Sequence, residues 1–236
     1  MSYPDDVYSK NTLLNALSPD DLALFGPHLS RVDIAREDIL VHANAPIEHV
    51  FFLDQGVASI VAAVGFNRPT EVGIFGRDGV SATCLLLGSD RSPHQTFIQI
   101  GSGTAMRIDT AAYRNAVRSS ETLRMTLLRF VQAMLVQAAH STATNAHHRI
   151  EARLARWLLM CHDRTDREDL PLTHELLSLM LGVRRAGVTT ALRNLSDAGA
   201  VRTRRGGIGI CDRSQMLAIA GDAYGGPEAE YQRVLG

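Results

Sequence analysis

The sequence predicts an α+β protein in three parts: an N-terminal β sandwich or barrel, a long central helix, and a C-terminal helix-turn-helix followed by a basic hairpin. Three observations carry that prediction. From Arg31 to Ile108 short apolar runs are broken by turn residues, as in antiparallel strands that each bury one face. From Ser120 to His148 apolar residues recur at helical spacing with neither Gly nor Pro, the mark of one long amphipathic helix. From Leu172 to Gly209 two short apolar-faced segments flank Gly182 and run into a Gly- and Arg-rich stretch.

Bulk properties agree with a soluble protein of two small domains. The chain has 236 residues, 45% of them hydrophobic, and a formal net charge of -1. That length and content suffice for real cores. Met1 to Lys10 is polar and acidic, unlike a secretory signal, and no apolar run approaches the ~18 residues of a membrane span. Cytoplasmic residence is the expectation. Cys84, Cys161 and Cys211 lie far apart with no CxxC, so neither a disulfide framework nor a zinc or cluster motif is signalled.

Taken in order, Asn11 to Leu29 reads as a short opening helix. Ser18 is a capping hydroxyl before Pro19, and Asp20 and Asp21 in the first turn complement the helix dipole. Leu22, Leu24, Phe25 and Leu29 would pack beneath the next elements of the chain. Strands are expected at Ile39–His42, Val50–Asp54, Ala58–Val64, Glu71–Phe75, Gln95–Ile100 and Thr104–Ile108. Gly73, Gly76, Gly79 and Gly88 read as turn glycines. The long helical unit starts near Asp109 or Ser120, and Leu123, Leu127, Phe130, Met134 and Leu135 lie in its stripe. Such a stripe is too apolar to stand in water and must pack on something. Its own barrel is one choice and a second copy of the chain is the other. His140, His147, His148 and His162 with Cys161 lack the i,i+4 spacing and accompanying carboxylates of a helical metal site, so no metal and no cofactor is expected. Arg149 to His162 is another amphipathic helix with Trp157 in its inward stripe, Asp163 to Asp169 a solvated loop, and Gly221 to Gly236 a loose tail.

The segment LTHELLSLMLGVRRAGVTTALRNLSDAGAVRTRRGGIG, residues 172–209, carries the functional signal. Leu176, Leu177, Met180 and Leu181 give the first helix one buried face; Gly182 turns the backbone. Val188, Ala191, Leu192 and Leu195 do the same for the second, leaving Arg184, Arg185, Thr189, Thr190 and Arg193 outward. From Arg184 to Arg205 there are six Arg against the single acid Asp197, so a nearly neutral chain hides a basic pole. A major groove about 12 Å wide admits one helix, and Arg offers bidentate donors to guanine there. Arg202, Arg204 and Arg205, around the Arg205-Gly206 turn, suit backbone phosphates. A solvated Arg-rich helix would explain the charge, but not the turn, the spacing and the basic hairpin together.

This segment resembles the winged helix-turn-helix of the Crp/Fnr family of bacterial transcription regulators, and APIEHVFFLDQGVASIV resembles the opening of that family's cyclic-nucleotide-binding jelly roll, with Gly56 at its hairpin glycine. The resemblance implies a sensor domain over residues 1–118, a central dimerisation helix over 119–148 and a DNA-binding domain over 149–236. It places Arg185 at the first arginine of the base-reading helix. Ala186 and Thr189 or Thr190 replace a Glu and a second Arg that many members carry, so a different operator is implied. The DNA-binding residues are then Thr173, Arg184, Arg185, Gly187, Thr189, Thr190, Arg193, Arg202, Arg204 and Arg205. Leu123, Leu127, Phe130, Met134 and Leu135 would pair with a twin, setting two recognition helices ~34 Å apart on a palindromic site of double-stranded DNA. RNA polymerase is a further partner the family allows, and no membrane is implied. In cyclic-nucleotide binders a loop supplies Gly-Glu to the ribose and Arg-Ser/Thr to the phosphate. The matching positions here hold Ser81 or Ala82 and Pro93-His94, with Arg91-Ser92 two residues early, and Ala138 and Ala139 stand where base-contacting hydroxyls would be. The implied protein is a homodimeric regulator not controlled by cyclic AMP. Its effector is unnamed, with Ser81, Ala82, Arg91, Ser92 and His94 as the candidate pocket, and a shift between two head arrangements would be the switch. Two other classes compete with this one. The first is a small-ligand-sensing protein whose helix-turn-helix serves protein contacts. The second is an enzyme, which the residues do not support because no nucleophile and base are set together.

Overall fold

Residues 9–63 and 69–236 are described by the computed structural model. The polar start of the chain before Ser9 and Val64, the expected end of one strand, lie outside them. The chain divides into two units, one of Met1–Ile60, Ile74–Ala133 and Tyr231–Gly236, the other of Val61–Gly73 and Met134–Glu230.

In the first unit the opening segment is two helices, α1 (Thr12–Asn15) and α2 (Pro19–Phe25), with a 3₁₀ turn at Gly26–His28. The break falls where Ser18 caps α2, its hydroxyl accepting from the Asp21 amide at 3.1 Å, and Pro19 takes the first helical position. Phe25 is fully buried, whereas Leu22, Leu24 and Leu29 are only half-buried. Strands β1 (Ser30–Ile34), β2 (Ile39–Val41), β3 (His49–Leu53), β4 (Val57–Ala63), β5 (Pro69–Phe75), β6 (Gln95–Ile100) and β7 (Gly103–Asp109) come next, the end of β4 and most of β5 being counted with the second unit. They form two sheets, ordered β1-β7-β3 and β2-β6-β4-β5. β1 is a strand the sequence did not signal. It is an edge strand in which Ile34 alone is buried, so it carries little of the apolar alternation that marks its partners. Between the strands, Gly56 turns with φ 82, a conformation costly to residues with a Cβ. Gly79 is not simply a turn glycine. A Cβ there would lie 2.5 Å from the ring of Phe130, so its bare backbone is the seat of that aromatic. Gly73 lies inside β5 rather than in a turn.

After β7 the chain runs into α3 (Thr110–Ser119) and α4 (Glu121–His147). The long helical unit thus breaks at Ser120, whose hydroxyl accepts from the Leu123 amide and donates to Asp21 at 2.5 Å. Thr122 also donates to Asp21, at 2.9 and 2.8 Å. Leu123, Leu127 and Phe130, expected at a dimer contact, are 0%, 0% and 1% exposed. They are consumed inside the chain and are corrected from dimer residues to core residues. Met134 is half-buried, and Leu135 is the member of that set left in the open, at 61%.

The second unit is built on α5 (Ile150–Asp163), buried from Leu154 to Cys161 without a gap. Trp157 is core, 4% exposed, and its Nε1 donates to Glu71 Oε1 at 2.5 Å. After it come β8 (Asp169–Leu170), α6 (His174–Leu181), α7 (Arg185–Asp197), β9 (Val201–Arg204), β10 (Gly207–Ile210), α8 (Arg213–Ala220) and α9 (Gly226–Leu235), whose second half is counted with the first unit, and a small sheet is ordered β8-β10-β9. The charged stretch that begins at Asp163, the last residue of α5, is not all solvated. Arg164 is buried and donates to the Met160 carbonyl at 2.9 Å, and Asp163 pairs with Arg213 at 2.7 Å.

The expected loose tail is an ordered return. A 3₁₀ turn at Gly221–Ala223 leads into α9. Gly221 and Gly225 take positive φ, so these glycines are joints between helices, not a sign of slack chain. His140 Nε2 meets the Ala223 carbonyl at 2.9 Å, His148 Nε2 meets Asp222 at 2.8 Å, and the Tyr231 hydroxyl donates to the Asp78 carbonyl at 2.8 Å. Among the described residues no helix is long and apolar enough to cross a membrane.

Candidate nucleic-acid interface

The head of the second unit is a helix-turn-helix with a hairpin beside it. Thr173 caps α6 by accepting from the Leu176 amide at 3.1 Å, so its hydroxyl is already engaged in holding the helix start. Leu177, Met180 and Leu181 bury the inner face. Gly182 ends α6 in the left-handed conformation, φ 62, and its amide returns to the Leu179 carbonyl. Arg153 of α5 braces this turn, donating to the Leu181 carbonyl and, at 2.8 Å, to Asn145. Nothing in the helix-turn-helix segment itself points to that brace.

α7 then opens with Arg184 at its N-cap. Val188, Ala191, Leu192 and Leu195 are 0–2% exposed, which fixes the helix's rotation and leaves Arg184, Arg185, Thr189, Thr190 and Arg193 exposed. Arg184 and Arg185 have no ion-pair partner among the described residues. Thr189 and Thr190 donate their hydroxyls back to the carbonyls of Arg185 and Ala186, each at 3.1 Å, and Thr189 also meets His174 Nδ1 at 3.0 Å. Arg193 lies 3.8 Å from Asp197. Gly187 faces the other way, toward α5, where a Cβ would stand 3.0 Å from Ile150 Cδ1. It is a close-approach glycine, not part of the exposed strip.

β9 and β10 pair antiparallel across Arg205-Gly206, with Gly206 at φ 75. Arg205 is exposed and has no ion-pair partner among the described residues. The other two hairpin arginines are engaged. Arg202 lies 3.0 Å from Asp169 and 3.6 Å from Glu168, and Arg204 lies 3.4 Å from Asp169. The Asp169 carboxylate beside Arg202 raises the guanidinium pKa further above its usual high value. A cleft of about 400 Å³ lies between the start of α6, the start of α7 and the hairpin, with Thr173, His174, Arg185, Thr203 and Arg204 in its wall. The wall is mixed in charge, Arg185 and Arg204 standing with Glu175 beside a helix N-terminus.

In the first unit the candidate effector residues are otherwise occupied. Ser81 is 1% exposed, and its hydroxyl accepts from the Phe51 amide at 2.9 Å. Ala82 is buried in a left-handed conformation, φ 58. Arg91 is exposed and paired with neighbouring Asp90 at 3.2 Å. Ser92 accepts from the His94 amide at 3.0 Å, and the His94 ring keeps a buried Nδ1 without a partner. Ser81 thus ties its loop to β3, and Arg91 and Ser92 bond to their near neighbours in sequence.

Comparison with known proteins agrees with this geometry. Residues 152–219 match the model of the Crp-like helix-turn-helix domain. No curated protein sequence matches the chain. Solved structures do. FixK2 from Bradyrhizobium japonicum superposes with a TM-score of 0.67 at 13% identity, over 82% of this chain and 98% of that one. A CRP-family transcriptional regulator from Thermus thermophilus gives 0.66 at 16%, over 80% and 96%. The c-di-GMP responsive global regulator CLP of Xanthomonas campestris gives 0.64 at 15%, over 83% and 100%. Residues 152–219 are a Crp-like helix-turn-helix domain, carried by a chain with the fold of the Crp/Fnr transcription regulators.

Proposed function

We propose that the protein is a transcription regulator that binds a palindromic operator in double-stranded DNA as a homodimer, without cyclic AMP as its signal. The observation that carries this reading is the pair Arg184 and Arg185. They stand exposed at the N-terminus of a helix whose opposite face is buried, with no ion-pair partner among the described residues. A basic helix end held clear of its own domain meets base edges in the major groove, while Thr190, Arg193 and Arg205 lie where phosphates pass.

Dimerisation is supported by the outward side of α4. Met125, Leu128, Gln132, Leu135, Ala139 and Thr142 follow alternating steps of three and four, the spacing of a coiled-coil seam. Met125 and Leu135 are 42% and 61% exposed, apolar surface that a twin helix would cover. Two-fold pairing on this seam replaces the pairing through Leu123, Leu127 and Phe130. Exclusion of cyclic AMP rests on the engaged Ser81 and the outward, Asp90-paired Arg91. A cyclic phosphate needs a convergent guanidinium and free donors.

The test is quantitative binding to duplex DNA as salt is varied, with Arg185→Ala beside the parent protein. Loss of discrimination at one base position of each half-site, about 1–3 kcal/mol, is expected. Sequence preference identical in both proteins would remove Arg185 from its role.

A further inference from the structure

Arg202 and Arg204 of the hairpin differ from Arg184 and Arg185 at the start of α7 in having a carboxylate beside them. Asp169 and Arg202 both sit opposite Gly209, in the registers of β8 with β10 and of β9 with β10. Their side chains meet above that glycine. A Cβ on Gly209 would lie 2.3 Å from Asp169 Oδ1 and 2.8 Å from Arg202 Nε, so any larger residue would push the pair apart. The second Asp169 oxygen reaches Arg204, which donates from Nη1 at 3.4 Å. One carboxylate therefore spans two cations of the same strand, and one of them, Arg204, lines the cleft that also contains Arg185.

We propose that Asp169 is a built-in counter-ion of the hairpin: it holds Arg202 and Arg204 when no nucleic acid is present, and a DNA phosphate must displace it or share with it. The proposal rests on the DNA-binding reading and deepens it. A cation already neutralised by protein releases fewer condensed counter-ions when it meets a phosphate, so it adds less to affinity and to salt dependence. Asp169 thereby weakens the grip on duplex of any sequence and leaves affinity to depend on Arg184 and Arg185 at the start of α7. Glu168, 92% exposed at its side chain and 3.6 Å from Arg202, is a lesser contributor of the same kind.

The experiment measures binding of the full-length protein to a random-sequence duplex across a salt series. Asp169→Asn keeps the size and removes the charge; Asp169→Ser does the same with a smaller side chain, in case the amide disturbs the hairpin. Melting curves report whether each variant is folded. Both are expected to bind random duplex about threefold more tightly near 0.1 M salt, with a log–log salt slope steeper by about one phosphate contact, ~0.9. Asp169→Glu, which restores the charge, should return the parent slope, and Glu168→Gln should move it less. If the parent binds duplex with normal salt dependence and both charge-removing variants reproduce its slope, the counter-ion role is overturned and the DNA-binding reading stands. If the parent shows no salt-dependent binding to duplex, that reading falls, and the counter-ion role with it.

Discussion

The two sides of α4 have nearly the same chemistry and opposite fates. Leu123, Leu127 and Phe130 are closed off inside the first unit, with the Phe130 ring seated on Gly79. Elsewhere on the same helix, Met125 and Leu135 are exposed. An apolar residue on the buried side stabilises the monomer by leaving water during folding. One on the exposed side contributes only when a second surface arrives. The difference teaches that an apolar stripe on a long helix holds two separate free-energy contributions, which substitution can measure independently.

The largest effect is expected at the inward side. Phe130→Ala leaves a cavity over Gly79 and should destabilise the folded chain by about 3–5 kcal/mol in urea denaturation; a loss near zero would mean that the ring is not packed there. Next comes the outward side. Leu135→Glu should leave the melting of the monomer within ~0.5 kcal/mol of the parent while shifting the sedimentation of the protein from dimer to monomer. A variant that melts early and stays dimeric would reverse the assignment of the two faces. The smallest effect lies at the start of the helix, where Asp21 accepts from Ser120 and Thr122. Burial pushes the Asp21 carboxyl up, but the hydroxyls of Ser120, Thr122 and Ser18 outweigh it, and the net shift is downward. A carboxyl lowered in the folded state contributes stability that is complete above its unfolded pKa, ~3.9, and fades as pH falls through the lower folded value. Asp21→Asn should therefore cost about 1 kcal/mol at neutral pH, and the gap to the parent should close on strong acidification. A gap that widened in acid would contradict the sign.

Much of the fold was legible because its elements obey one local rule each. The strands alternate, Ser18-Pro19 starts a helix, and Gly182 ends one with the positive φ its lack of a Cβ permits. What was not legible depends on partners far along the chain. β1 has little alternation of its own and is held by β7. α9 hides behind Gly221 and Gly225, which look like slack but act as joints. Periodicity says that Leu123 and Phe130 share a face of α4, not what covers that face. In the candidate site, charge and spacing pointed to Arg184, Arg185 and Arg205. The pairing of Arg202 and Arg204 with Asp169 could not be seen, because it exists only where β8 meets β10. Gly187, between Ala186 and Val188, reads like an exposed helix glycine until Ile150 is found beside it.

The most direct test of the account is selection of binding sites by the purified protein from a pool of random duplexes. The account predicts an enriched two-fold palindrome whose half-sites lie about one helical turn apart, ~34 Å, with the preference at one position of each half lost in Arg185→Ala. A pool that enriches no sequence, or a single unpaired half-site unaffected by Arg185→Ala, would contradict it.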